Sequence, residues 1–181
     1  GVRGYNTGDD TVSVVSYASQ AQAVKVSVIN VISVSSRTRA VTVGGSKNVL
    51  VSHCLAIAPG AHGIIIAYES GGANPAAELH TPSRITISNC RMEDALGSLG
   101  PPEGFNSLLI AGDATHMVDD VLVQGCTIIG SNQAKIAFAK NVRLIGNEVR
   151  DSRFSGILVE DCEDVDTINC KLKEIEGIGI S

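Results

Sequence analysis

The sequence predicts an all-β chain wound as a right-handed parallel β-helix, a solenoid of about six to seven rungs with three short strands each. Three observations predict it. The block NVRLIGNEVRDSRFSGILVED, Asn141 to Asp161, matches the segments before and after it as one turn of a coil. Inside each block apolar residues alternate with period two, which marks a strand with one buried face. A repeat of roughly 22 residues holding three such strands leaves no room for a helix, so each block hydrogen-bonds to the next about 4.8 Å away. The right-handed sense follows from the long three-strand rung.

The repeat is clearest as columns. With Asn147 as anchor, the equivalent residues are Val31, Cys54, Cys90, Cys126 and Cys170, and the six anchors are spaced 23, 36, 36, 21 and 23 residues apart. Five residues before them stand Val26, Val49, Ile85, Val121, Val142 and Val165, all β-branched. Three residues before come Val28, Val51, Ile87, Val123, Leu144 and Thr167, and two residues after come Ser33, Ala56, Met92, Ile128, Val149 and Leu172. The third strand is expected to stack Val12, Val41, Ile64, Leu108, Ile136, Ile157 and Ile178, followed two residues on by Val14, Val43, Ile66, Ile110, Phe138, Val159 and Ile180. The two wide spacings mark insertions.

In chain order, residues 3–10 form the approach to a third strand at Thr11 to Ser16, with no first or second strand before it. A small polar loop, Ala18 to Ala23, leads to rung one, Val24 to Gly45, and the corner GGSKN to rung two, Lys47 to Glu69. Ser70 to Ser83 is the first insertion. Rung three, Arg84 to Gly112, carries the second, LGSLGPPEGF, before its third strand; DATHMVDD then connects to rung four, Asp120 to Ala139. Rungs five and six are lean, so the insertions crowd onto rungs two to four, where a solenoid places function.

Composition narrows the classes. A chain of 181 residues, 44% hydrophobic and 18% charged, can bury one sizeable core, and residues 1–181 read as one β-helix domain. The ends fall inside the repeat, so the chain reads as a segment of a longer coil whose open ladders call for flanking rungs or a capping domain. A net charge of −5 disfavours a nonspecific nucleic-acid binder, which needs a basic face. No apolar run reaches the length of a membrane span, and the polar opening GVRGYNTGDD is no secretory leader. The cysteines of the anchor column read as small buried side chains stacked along a corner. A straight file cannot surround zinc tetrahedrally, and no spaced carboxylate cluster predicts calcium, so neither metal nor cofactor is expected. Cys162, in the corner DCED, is the thiol expected to react.

Chemistry concentrates just before the third strand. That column reads Asp10, Arg39, His62, Asn106, Ala134, Ser155 and Glu176. Neighbours in it are about 5 Å apart, so a carboxylate, a cation and an imidazole can act on one bound chain. Asp9 supplies a second carboxylate beside Asp10, and such a pair can divide into general acid and base. The bland reading is that Asp and Asn are ordinary turn residues and that Arg39 only pairs with Asp10. Asn106, Tyr17, Tyr68 and Glu69 are the expected substrate contacts, with Phe105 and Tyr5 as further aromatic surfaces.

The phrases NTGDDTVSVVSY, VTVGG, AHGIIIAYES and RITISNCRMED resemble the pectate-lyase-like superfamily of right-handed parallel β-helices. Its members include polygalacturonases, other polysaccharide hydrolases, lyases, epimerases and tailspike depolymerases. The resemblance implies Asp9 and Asp10 as the aspartate pair of a polygalacturonase. The following rung has Thr38-Arg39-Ala40, the histidine comes one rung late in Ala61-His62-Gly63, and Ile65 and Ala67 occupy the basic positions. The hydrolytic set is therefore incomplete.

Two functions follow. One is a carbohydrate-active domain that binds and cleaves an extended polysaccharide, as glycosidase or lyase, with acid/base work by Asp9, Asp10, Arg39 and His62. The other is a non-catalytic shaft or adhesin segment of a surface fibre or phage tailspike, with homotrimeric assembly. Both imply an extracellular, cell-surface or virion setting.

Overall fold

Alternation of buried and exposed side chains gives strands throughout, and the computed structural model describes them over residues 1–70, 78–95 and 106–180. Sheet 1 stacks β3 (Val24–Ile29), β6 (Lys47–Ser52), β9 (Ser83–Ser88), β12 (Val118–Gln124), β15 (Ala139–Ile145) and β18 (Glu163–Ile168). Sheet 2 stacks β1 (Val2–Tyr5), β4 (Val31–Val34), β7 (Leu55–Ile57), β10 (Arg91–Glu93), β13 (Thr127–Ile129), β16 (Glu148–Ser152) and β19 (Lys171–Ile175). Sheet 3 stacks β2 (Val12–Val15), β5 (Val41–Gly44), β8 (Ile64–Ala67), β11 (Leu108–Ala111), β14 (Ala134–Ala137) and β17 (Ile157–Glu160). Every pairing between these strands is parallel, and the chain visits the sheets in turn, so it winds as a parallel β-helix. Among the described residues no helix is long and apolar enough to cross a membrane.

The register agrees with the columns of the first two strands. Val26, Val49, Ile85, Val121, Val142 and Val165 pair in succession, as do Ser33, Ala56, Met92, Ile128, Val149 and Leu172. These inward residues form one continuous core, with Val51, Ile66, Ile87, Met92, Ile110 and Ile136 fully buried. The two polar exceptions are physically accounted for. Ser33 is buried but its hydroxyl meets that of Thr11 at 2.7 Å, and Thr167 is exposed in the last rung.

Three expectations need correction. Val2–Tyr5 is a strand of sheet 2, paired in register with Val31–Val34, so residues 3–10 are not merely an approach. In rung four Ala134, not Ile136, pairs with Leu108 and Ile157, and Ile136 pairs with Ile110. The corner from Ile129 to Ala134 is two residues shorter than the corner from Val34 to Val41, which an assumed constant corner length misplaces. Phe138 thereby leaves the core column and takes a positive φ of 48° at the next corner. In the last rung the partner of Ile157 is Ile180 rather than Ile178.

Corners are held by stacked left-handed residues. Asn30, His53, Asn89, Gly125, Gly146 and Asn169, one before each anchor, have φ between 51° and 62°. Asn and Gly reach this region at little steric cost, which is why they recur there. The anchors themselves form a ladder. Cys54, Cys90, Cys126 and Cys170 each point a thiol at a carbonyl of the preceding rung, Val28, Val51, Ile87 and Leu144. Asn147 substitutes for cysteine with stronger bonds: its amide donates to the Val123 carbonyl, and its Oδ1 accepts from the Cys126 N–H, both at 2.9 Å. All five cysteines are free thiols. Hydrogen bonding to Cys90 and burial push the Cys54 thiol upward in pKa, so it stays protonated.

Candidate functional site

The corner leading into sheet 3 brings Asp9, Asp10 and Arg39 together, as the column predicts. The short turn before β2 points both carboxylates at the next rung, where Thr38 Oγ1 lies 2.9 Å from Asp9 Oδ1 and 2.7 Å from Asp10 Oδ1. The single Thr38 proton is shared between them. Thr42, outward-facing on β5, donates to Asp10 Oδ2 at 2.5 Å. Arg39 stands 3.7 Å from Asp10 and 3.6 Å from Glu69, linking the first corner to the far end of β8. The Thr38 hydroxyl, then the Asp10 N–H, hold the exposed Asp9 carboxyl below its ordinary pKa, so it is ionised at neutral pH.

Beyond Arg39 the outer face of sheet 3 forms a shallow hollow of 210 Å³. Its floor is Ser13, Thr42, Gly44 and Ala67, and its walls are Arg39, Glu69, Tyr17 and Leu79. Gly44 makes room for the Leu79 side chain, whose Cδ1 would lie 2.7 Å from a Cβ at that position. Tyr17 is half-exposed at the rim and bridges to Leu79 through the backbone.

Three expected members lie elsewhere. His62 is buried under the next rung, where its Nδ1 lies 3.1 Å from the Asn106 backbone nitrogen and 3.2 Å from the Asn106 carbonyl oxygen. Burial pulls its pKa down to about 4, against the opposing bond to Asn106, and the imidazole is neutral at pH 7. Asn106 is only 2% exposed, and its Oδ1 finds no hydrogen-bond partner among the described residues. It supports His62 through its backbone rather than meeting solvent. Tyr68 is buried too, stacked on His116 with ring centroids 4.1 Å apart and its hydroxyl donating to Glu78 at 2.8 Å. Burial, then the bond to Glu78, push this phenol up to about 12. The face that would stack on a sugar is occupied by imidazole. Phe105 and the insertion 96–105 lie outside the described residues.

The corrected register also revises the polar column. Ala134 faces the core, and Asn132 takes the position equivalent to Asn106. Ile178, not Glu176, stands in the last place. Cys162 does not behave as the expected reactive thiol: its sulfur points at the Ile136 and Glu160 carbonyls, and burial raises its pKa. Sequence reasoning missed Thr38 and Thr42, although period two already turned Thr42 outward beside Val41.

It also missed two concavities on the outer face of sheet 1. Two overlapping hollows of 480 and 470 Å³ share Asp120 and Arg143. Their edge is a second stack of left-handed residues, including Asn48, Arg84, Asp120, Asn141 and Asp164, with φ between 51° and 56°. The signal was present as Asn, Asp or charged residues at one strand position in every rung. Among the described residues no group of three or more His, Cys, Asp or Glu side chains is arranged to hold a metal ion.

The model of a family described as right-handed β-helix region matches residues 40–181, which gives the coil its hand. No curated protein matches the sequence. Among solved structures, the surface adhesin PfbA of Streptococcus pneumoniae is similar, with a TM-score of 0.67 and 11% identity, over 95% of this chain and 42% of that one. The A-module of the mannuronan C-5 epimerase AlgE4 of Azotobacter vinelandii matches more loosely, with a TM-score of 0.37 and 11% identity, over 87% of this chain and 62% of that one. The chain thus spans less than half the length of the adhesin it resembles, and the likeness is one of fold.

Proposed function

Because this chain belongs to the family of right-handed β-helix regions, we propose that it binds an extended polysaccharide on the outer face of its coil, as a non-catalytic adhesin-like segment. The observation that carries the reading is the hollow at Arg39. A cation held between Asp10 and Glu69, with Thr42 and Ser13 on the floor and Tyr17 at the rim, presents donors, acceptors and one ring edge to a polyol. The expected catalytic set supports binding better than cleavage. Asp9 is ionised and His62 is buried and neutral, so neither serves as a proton donor at neutral pH. The expected setting is the cell surface or extracellular space, where such polymers are met; the similar PfbA chain is a surface adhesin. Flanking rungs or a capping domain would cover the open ladder edges, and assembly as a homotrimer belongs to the same proposal.

A second reading, cleavage, draws on one specific observation: two carboxylates share the Thr38 hydroxyl beside Arg39, at the mouth of the hollow. One experiment separates the two. The protein is incubated with a panel of polysaccharides while binding, reducing ends and absorbance of unsaturated uronates are followed together. Binding without new ends supports the adhesin-like reading. Release of ends that disappears in a folded Asp10→Asn variant transfers the assignment to hydrolysis, and new absorbance transfers it to a lyase.

A further inference from the structure

The trough on sheet 1 is independent of the hollow on sheet 3. It arises because one residue per rung adopts the left-handed conformation and drops out of the strand pairing, so that Val24 and Val26 pair with Lys47 and Val49 while Lys25 and Asn48 bulge. Repeated up the coil, the bulges form one wall and the outward column Leu50, Thr86, Leu122, Arg143 and Asp166 forms the floor. From Asn48 to Asp164 this spans four rung spacings, about 19 Å. Arg84, Asp120, Arg143, Asp164 and Asp166 are exposed along it. Among the described residues no ion pair involves any of these five, although Arg143 lines one hollow with Asp120, Asp164 and Asp166. Inside it the Asn141 amide donates to Asp119 at 2.8 Å.

We infer that this trough is a second binding site, for a neutral, extended polysaccharide lying parallel to the coil axis; the ligand class rests on the function proposed above. Hydroxyl groups donate and accept, so a polyol satisfies carboxylates and guanidinium groups spaced along one wall. Leu50 and Leu122 offer apolar floor between them. Other polymers fit worse. Nucleic acid requires a basic track, and a polyuronate would meet Asp119, Asp120, Asp164 and Asp166 against Arg143 at the upper end. The repeating wall suits a repeating ligand, because each rung presents similar atoms about 4.8 Å further on.

The test is affinity electrophoresis of the full chain through gels holding a β-glucan, a mannan, an arabinogalactan or a polyuronate. Three proteins are compared: native, Arg39→Ala, and the double variant Arg143→Ala with Asp166→Ala. All three altered residues have exposed or half-exposed side chains outside the left-handed positions, and circular dichroism verifies that each variant folds. The double variant is expected to lose at least about tenfold in affinity for a neutral polymer, with Arg39→Ala retaining part of the retardation. Native retardation that the double variant keeps and Arg39→Ala abolishes overturns the trough while the sheet 3 site stands. Stronger retardation by the polyuronate overturns the ligand class. No retardation by any polymer removes both sites. Gel filtration without polysaccharide adds one more outcome: a native dimer that the double variant dissociates would make the trough a protein interface, contrary to the inference.

Discussion

His62 is a titratable side chain enclosed at the corner into sheet 3. The column before sheet 3 makes it a neighbour of Arg39, yet the ring lies beneath the surface with Nδ1 against the Asn106 backbone. Its pKa is about 4 in the folded chain, below the ordinary 6.5. A depressed histidine contributes stability that is fully present above the unfolded value and is lost as pH falls toward the folded one. The window is therefore pH 6.5 down to about 4, and the whole contribution is of the order of 3 kcal/mol. Urea denaturation across that window checks it: the native chain is expected to lose roughly 2–3 kcal/mol more than His62→Gln. Parallel curves would show that the ring does not resist protonation. At Arg39 the prediction concerns binding: Arg39→Ala removes the cation between Asp10 and Glu69 and is expected to weaken polysaccharide binding about tenfold, with stability changed by less than about 1 kcal/mol.

At the scale of the strand and corner, the anchor ladder makes a sharper statement than packing alone. Asn147 satisfies the Cys126 N–H and the Val123 carbonyl, both buried. Asn147→Leu leaves two backbone groups unpaired and is expected to cost about 2–4 kcal/mol. Asn147→Cys restores the residue of the neighbouring rungs and is expected to cost about half as much, measured by thermal or urea unfolding. Equal losses would show that size, not hydrogen bonding, decides this column. Rung four offers the opposite test. The short corner brings Ala134 where other rungs hold Val, Ile or Leu, beside a residual void of 10 Å³ bounded by Leu108, Ile136, Leu144 and Ile157. Ala134→Val is expected to stabilise the fold by about 0.5–1 kcal/mol; destabilisation would mean that the rung has already closed on the smaller side chain.

The same rung explains what the sequence could and could not reveal. Sheets 1 and 2 follow directly from alternation, because their corner is one left-handed residue of fixed length between Ile29 and Val31 or Ile145 and Asn147. Corners into sheet 3 vary in length, and a shift of two residues keeps the apolar face inward, so Ile136 and Phe138 fit the pattern as well as Ala134 and Ile136. Periodicity carries no information that separates them. At the candidate site Asp10 and Arg39 were legible because stacking fixes their neighbours. The sealing of His62 and Tyr68 was not, since His62 meets the backbone of Asn106 and Tyr68 is covered by Glu78 and His116, which stand outside the stacked column that fixes neighbours.

For the molecule as a whole, each rung touches only the rungs above and below, so stability is a sum of nearest-neighbour terms that weakens toward the ends. Ile64, Ile66, Ile85, Ile87, Leu108 and Ile110 are at most 1% exposed, whereas Val12, Val14 and Val26 at one end and Val159, Val165 and Leu172 at the other are half-buried. Native-state amide exchange is expected to be slowest in β8, β9 and β11 and fastest in β18 and β19. Uniform protection would show that the coil opens only as a unit. A stiff middle with polar side chains fixed on two outer faces is what a polymer-binding surface needs, because the groups are ordered before the ligand arrives.

The most direct measurement follows native protein and Arg39→Ala on a panel of polysaccharides, with bound fraction and reducing ends read from the same tubes. The native chain is expected to bind at least one polymer without releasing ends, and Arg39→Ala to bind it about tenfold less. Failure of the native chain to bind any polymer, or equal binding by both proteins, would contradict the proposed binding.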